Sequence, residues 1–102
     1  SYKMIFYLLK TEPYLVREFY EETVRPLKSY DAENGAHLVK TLDAFLDSDL
    51  SVSSTAEALF THRHTVRYRL GRISEISGLD PLKSEDLERL SLGLKAMRFL
   101  EP

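Results

Sequence analysis

The side chains best suited to chemistry lie between positions 61 and 72, where four arginines occur without an acidic residue. The segment mixes guanidinium, imidazole, hydroxyl and phenol groups, on His62, Arg63, His64, Thr65, Arg67, Tyr68, Arg69 and Arg72. A guanidinium can donate two parallel hydrogen bonds to guanine or to a phosphate, and hydroxyl groups donate readily to phosphates. This combination indicates that the segment binds double-stranded nucleic acid.

The charge of the whole chain at first argues against that partner, because 102 residues carry a net charge of −2. The acidic excess, however, lies outside the arginine-rich segment, in residues 1–60 and 73–102. A phosphate backbone docks on a local basic patch, whatever the sign of the total charge. We therefore expect a basic surface on an otherwise mildly acidic domain.

The elements that must position these side chains are two helices, which residues 50–78 predict as a helix-turn-helix. The first helix is expected at about 52–60, with Ser51 or Ser53 as its N-cap and Ser54-x-x-Glu57 as a competing capping box. Ala56, Leu59 and Phe60 would form its apolar face. Thr61 and His62 would make the turn.

The second helix is predicted from Arg63 to Ser77, where Gly78 ends it. At about 100° per residue, one stripe faces the core and comprises Val66, Leu70, Ile73 and Ser77. His64, Arg67, Tyr68 and Gly71 point outward, with Thr65 and Arg72 beside them and Arg69 nearer the core edge. We expect Arg63 and Arg67 to read the major groove beside Tyr68, and Arg69 and Arg72 to hold the backbone.

The rest of the chain predicts a single all-α domain of about five helices that support this pair. Residues 1–10 could be the remnant of an upstream linker. Ser1–Leu9 could be a strand or a helical turn, because so short an apolar run does not separate the two, and we favour helix. Further helices are expected from Thr11-Glu12-Pro13 to Arg25-Pro26, with Thr11 as cap and Leu15, Phe19 and Val24 buried. A short link or a single turn over Leu27–Tyr30 would follow, then a helix that begins within Asp31–Gly35 and ends at Asp47. Ser84 would cap the last helix.

Several function classes are excluded by what the sequence lacks. There is no cysteine, and the rings of His62 and His64 would point to opposite sides of a helix, so no metal site is expected. The acidic pairs, such as Glu21-Glu22 and Glu85-Asp86, resemble solvated helix faces. Without a phosphate loop or nucleophile motif, we expect neither an enzyme nor a cofactor. No apolar run is long enough to span a membrane, and a cytoplasmic location is expected.

The stretch THRHTVRYRLGRI at 61–73, followed by SGLD at 77–80, resembles the C-terminal helix-turn-helix of PucR/CdaR-type transcriptional regulators. Those proteins typically show HRNTVRYRL-x-RI and a TGLD-like end. Residues 21–27, 30–34 and 42–46 are similar to further family segments, and the turn is similar to that of Fis-type proteins. Two departures are His64, where the family usually has asparagine, and Gly71, where it has a polar or charged residue.

The resemblance implies the DNA-binding end of a larger regulator, whose separate N-terminal part senses a small metabolite. It also implies that the regulator acts as a dimer or higher oligomer. An alternative from the residues themselves is a helical module for protein–protein interaction, in which Arg63, Arg67 and Arg72 meet an acidic partner. The loss of binding with added salt, measured on duplex DNA, would separate the two hypotheses.

Overall fold

The computed structural model describes residues 2–101, apart from the side chains of Tyr2, Ile5 and Phe6. The fold is all-α, as predicted, but the described residues form seven helices and not about five. They are α1 (Tyr2–Thr11), α2 (Pro13–Thr23), α3 (Arg25–Asn34), α4 (Leu38–Asp47), α5 (Val52–Ala58), α6 (Arg63–Ser77) and α7 (Ser84–Leu100). The helix expected over Ser1–Leu9 is confirmed as α1, while Ser1 lies outside the described residues.

Helix α3 replaces the link that the sequence suggested over Leu27–Tyr30, and this prediction was wrong. Pro26 lies in the first turn of α3, where its missing N–H removes no helical hydrogen bond. The helix continues to Asn34 and ends at Gly35, whose φ of 56° is left-handed. The turn-forming residues at 31–35 therefore end α3, and α4 begins only at Leu38.

The start of α4 is capped by a side chain from the preceding helix. His37, the N-cap residue, makes no capping bond with its own side chain. The carboxylate of Asp31 instead accepts hydrogen bonds from the N–H groups of Leu38 at 2.7 Å and Val39 at 3.0 Å. A negative charge at a helix N-terminus is favourable, so Asp31 ties α3 to α4.

The predicted caps had mixed outcomes. Ser51 is confirmed, because its Oγ accepts from the N–H of Ser54 at 3.1 Å. Thr11 is not a cap, since it ends α1 and its hydroxyl donates to the carbonyl of Tyr7. Ser84 is not one either, because the N-cap of α7 is Lys83, without a capping bond.

The core joins two groups of helices. Helix α6 packs against α3, α4 and α5, whereas α2 packs against α1, α3 and α7. The buried apolar side chains include Leu42, Phe45, Val66, Leu70 and Ile73 in the first group, and Val16, Tyr20, Val24, Leu90 and Leu94 in the second. Val24 is therefore buried as predicted, but Leu15 is 40% exposed and that prediction was wrong.

Helices α2 and α7 cross closely at Gly93. A Cβ atom added there would lie 2.3 Å from Oγ1 of Thr23 and 2.8 Å from Cγ2 of Val24. Thr23 is fully buried, and its hydroxyl donates to the carbonyl of Phe19 at 2.8 Å, so it has little room to move. Any side chain at 93 would force the two helices apart.

We predict opposite effects for alanine at the two glycines inside helices. Gly93→Ala should lower the free energy of unfolding by about 1–3 kcal/mol, because it overpacks the α2–α7 crossing. Gly71→Ala should raise it by about 1 kcal/mol, because alanine favours helix and, beyond the adjoining backbone of α6, no described atom lies within 4 Å of the added Cβ. Urea unfolding measures both, and a Gly93→Ala variant at least as stable as wild type would contradict the close crossing.

Candidate nucleic-acid interface

The helix-turn-helix predicted at 50–78 is present, but its first helix is shorter than expected. Helix α5 ends at Ala58 and not at about residue 60. Two hydrogen bonds close it, from the N–H of Phe60 to the carbonyl of Glu57 and from the N–H of Thr61 to the carbonyl of Ala56. This pair of bonds is the Schellman motif, which normally places glycine at the position that Phe60 occupies.

Phe60 was predicted on the apolar face of α5, and this was wrong. Its φ is 53°, and its side chain is 97% exposed. The Schellman motif turns the chain at this residue, so the side chain leaves the face that Ala56 presents to the core. A left-handed conformation costs a residue with a Cβ roughly 1–2 kcal/mol.

Helix α6 begins with a cap supplied by an imidazole. His62 is the N-cap residue, and its Nδ1 accepts a hydrogen bond from the N–H of His64 at 3.0 Å. The nitrogen that accepts must be unprotonated, so Nδ1 carries no hydrogen in this arrangement. The first turn of a helix also has N–H groups without helical partners, which favours a nearby anion.

One face of α6 is buried and the opposite face is open, as the spacing predicted. Val66, Leu70 and Ile73 are at most 3% exposed. The exposed members of the outward face are Arg63, His64, Arg67, Tyr68 and Gly71. Among the described residues, neither Arg63 nor Arg67 has a carboxylate within ion-pair distance. Both guanidinium groups are therefore available to an external partner.

The remaining predicted site residues lie at the edges of that face. Thr65 is half-buried, and so is Arg69, whose Nη1 donates to Oγ1 of Thr41 at 3.3 Å. Thr41 is itself fully buried on α4. Arg69 is therefore near the core edge, as predicted, and its partner within the chain is a hydroxyl group.

Arg72 is held by the protein itself. Its guanidinium carbon lies 4.9 Å from the ring centroid of Tyr30, and its Nη2 donates to the Tyr30 hydroxyl at 2.7 Å. Its Nη1 donates to Glu75 at 3.2 Å. The bond to Tyr30, followed by the bond to Glu75, raises the pKa of Arg72. These contacts join α6 to α3.

Sequence reasoning missed Tyr30 as part of the site. It is 42 positions from Arg72 and belongs to a segment for which the sequence predicts a link and a turn. No periodicity within either helix indicates the pairing. The similarity of residues 30–34 to a family segment draws attention to this region of the sequence. It does not indicate that Tyr30 contacts Arg72.

Among the described residues, no group of three or more His, Asp or Glu side chains is arranged to hold a metal ion. None of the described helices is long and apolar enough to cross a membrane.

Two substitutions of His62 test the imidazole cap. His62→Ala should lower the free energy of unfolding by about 0.5–1 kcal/mol, because the N–H of His64 loses its acceptor. His62→Asn should stay close to wild type, since asparagine is among the best N-cap residues. Urea unfolding followed by circular dichroism measures both, and equal losses would show that the cap is not what stabilises α6.

Comparisons with known proteins agree with this geometry. Residues 38–96 match the family model described as the PucR C-terminal helix-turn-helix domain. The purine catabolism regulatory protein of Bacillus subtilis is 33% identical over 85 residues, which cover 83% of this chain. The carbohydrate diacid regulator of Escherichia coli is 43% identical over 60 residues, or 58% of this chain. The match spans only 16% of each regulator.

A solved structure shows the same arrangement. The crystal structure of a regulator of polyketide synthase expression from Bifidobacterium adolescentis superposes with a TM-score of 0.77 and 30% sequence identity. The superposition covers 92% of this chain and 38% of that one. The family match includes the whole of α4, α5 and α6, and α6 carries the four arginines. The chain therefore belongs to the PucR C-terminal helix-turn-helix family of transcriptional regulators.

Proposed function

We propose that this chain binds double-stranded DNA in a sequence-specific manner, with α6 in the major groove. The observation that carries the proposal is the pair Arg63 and Arg67, which are exposed on the face of α6 opposite the core and have no ion-pair partner among the residues that the structure describes. Four positions along a helix bring side chains to the same side, one turn apart. The pair can therefore follow one groove.

The proposed roles follow from exposure and from the partners within the chain. Arg63 and Arg67 donate to base edges, most favourably to guanine O6 and N7. His64 and Tyr68, exposed on the same face, contact neighbouring bases or sugars. Thr65 and the first-turn N–H groups, which His62 helps to order, face a phosphate.

The two remaining arginines receive different roles. Arg69 bonds only a neutral hydroxyl group and keeps its full charge for a phosphate. Arg72 is already engaged by Tyr30 and Glu75, so we assign to it a positioning role. By fixing α6 on α3, it sets the direction in which Arg63 and Arg67 project.

Gly71 supports the same orientation. An added Cβ would meet no atom of the protein, so packing within the chain does not require glycine there. Glycine inside a helix costs about 1 kcal/mol relative to alanine. A close approach of α6 to the sugar–phosphate backbone would account for its presence.

The test is fluorescence anisotropy of a labelled duplex library, with Arg63→Ala and Arg67→Ala compared with wild type. Each variant should lose about 1–3 kcal/mol of binding free energy, because each removes one bidentate contact. Arg17→Ala is the matched control, since Arg17 is an exposed arginine on α2, which does not belong to the helix-turn-helix. That variant should bind like wild type.

Salt dependence separates DNA binding from the alternative of an acidic protein partner. Wild-type binding to duplex DNA should weaken with added salt, by about 0.9 logarithmic units per tenfold change in salt for each phosphate contacted. Circular dichroism confirms that every variant is folded. If folded Arg63→Ala and Arg67→Ala proteins bound DNA like wild type, α6 would not be the contact and the protein-partner hypothesis would take its place.

For the full regulator, we propose that two copies bind DNA together and that another part senses a small metabolite. Support comes from relatives whose names refer to purine catabolism, a carbohydrate diacid and proline. The matched segment makes up only 15–16% of those proteins, so most of their length is free for such a role. A selected operator with two half-sites would support the dimer.

A further inference from the structure

Folding of this chain does not explain why position 60 is a phenylalanine. Its left-handed backbone, with φ at 53°, is a conformation that glycine adopts without strain. Its ring is 97% exposed and therefore contributes almost nothing to the core. A large apolar group is thus kept in water on a backbone that disfavours it. Strain of this kind is often found where a residue serves binding.

The surroundings of the ring indicate what it could bind. Phe60 lines an open cleft between α5 and the start of α6, together with Ser53, Glu57, His62 and Arg63. The ring therefore lies beside the end of α6 that the proposed function directs into the groove. The exposed carboxylate of Glu57 in the same cleft would repel a phosphate. An apolar group of a base is a better partner than the backbone.

We infer that Phe60 contacts DNA directly and that its ring packs on the C5-methyl group of a thymine next to the base read by Arg63. Thymine is the base that offers a methyl group in the major groove, and phenylalanine is among the side chains that contact it. This inference rests on the proposed function. It adds a specificity-determining residue outside the recognition helix.

The sharpest test is Phe60→Gly, because it changes stability and binding in opposite directions. Glycine relieves the backbone strain, so the melting temperature should stay the same or rise. Affinity for the selected duplex should fall about threefold to tenfold, because the ring is lost. The salt dependence should not change, since no charge is removed.

Leu50→Gly is the matched control for relief of strain. Leu50 is also an exposed apolar residue with a left-handed backbone, with φ at 62°, but it does not line the cleft. This variant should bind DNA like wild type. If it weakened binding as much as Phe60→Gly does, the loss would come from the backbone and the inference would be overturned.

A chemical substitution in the DNA identifies the contacted group. Each thymine of the selected duplex is replaced in turn by deoxyuridine, which removes only the methyl group. One replacement should weaken wild-type binding by about the same factor as Phe60→Gly, and should have little further effect on that variant. If no replacement affected the wild type, or if Phe60→Gly bound like wild type, the inference would be wrong and the ring would serve another partner.

Different results would contradict the proposed function and the inference about Phe60. If Arg67→Ala weakens binding and Phe60→Gly does not, the recognition helix stands and only the role of Phe60 is rejected. If the wild-type protein binds no duplex at all, the proposed function fails and this inference fails with it.

Discussion

The structure depends on one constraint, which is that α6 must be attached along a single stripe while its opposite face stays open. Val66, Leu70 and Ile73 provide the attachment, and each is almost fully buried. Burial of a side chain of this size contributes about 1.5–3 kcal/mol, so three of them hold the helix firmly. The contact of Arg72 with Tyr30 then fixes the helix on α3. Arg63 and Arg67 take no part in this attachment, so their guanidinium groups stay exposed and have no ion-pair partner among the described residues.

At two positions around this open face, the residue present stabilises the local backbone less than another residue would. Gly71 lies inside α6 where alanine would fit, and Phe60 occupies a left-handed turn position that suits glycine. Both lie on the exposed side of the helix-turn-helix. In contrast, Gly93 is required by packing, because α7 approaches Thr23 too closely for a side chain. Glycine thus has a structural reason in α7 and none within the chain in α6.

The ion pairs of the protein also leave the open face of α6 available. The described ion pairs outside α6 involve arginine or lysine residues on α3 and α7, each with a carboxylate partner. Exposed pairs of this kind stabilise a fold by little, but they reduce the positive charge elsewhere on the surface. Among the described residues, Arg72 is the only arginine of α6 with an ion-pair partner, which is Glu75. The net charge of −2 therefore coexists with a concentrated basic patch.

Local patterns were sufficient to predict α6, its buried stripe and its end at Gly78, because each depends on residues within about four positions. They left the N-cap of α5 open between Ser51 and Ser53, with a competing capping box at Ser54, and the structure has Ser51 there. The bounds of α3, the capping of α4 by Asp31 and the engagement of Arg72 by Tyr30 could not be predicted in this way. They depend on side chains from different helices, and turn-forming residues at 31–35 suit a helix end as well as a helix start. Sequence spacing decides which face of α6 is basic, and tertiary packing decides which of its arginines are free, because a guanidinium pairs with whatever neighbour the fold brings within reach.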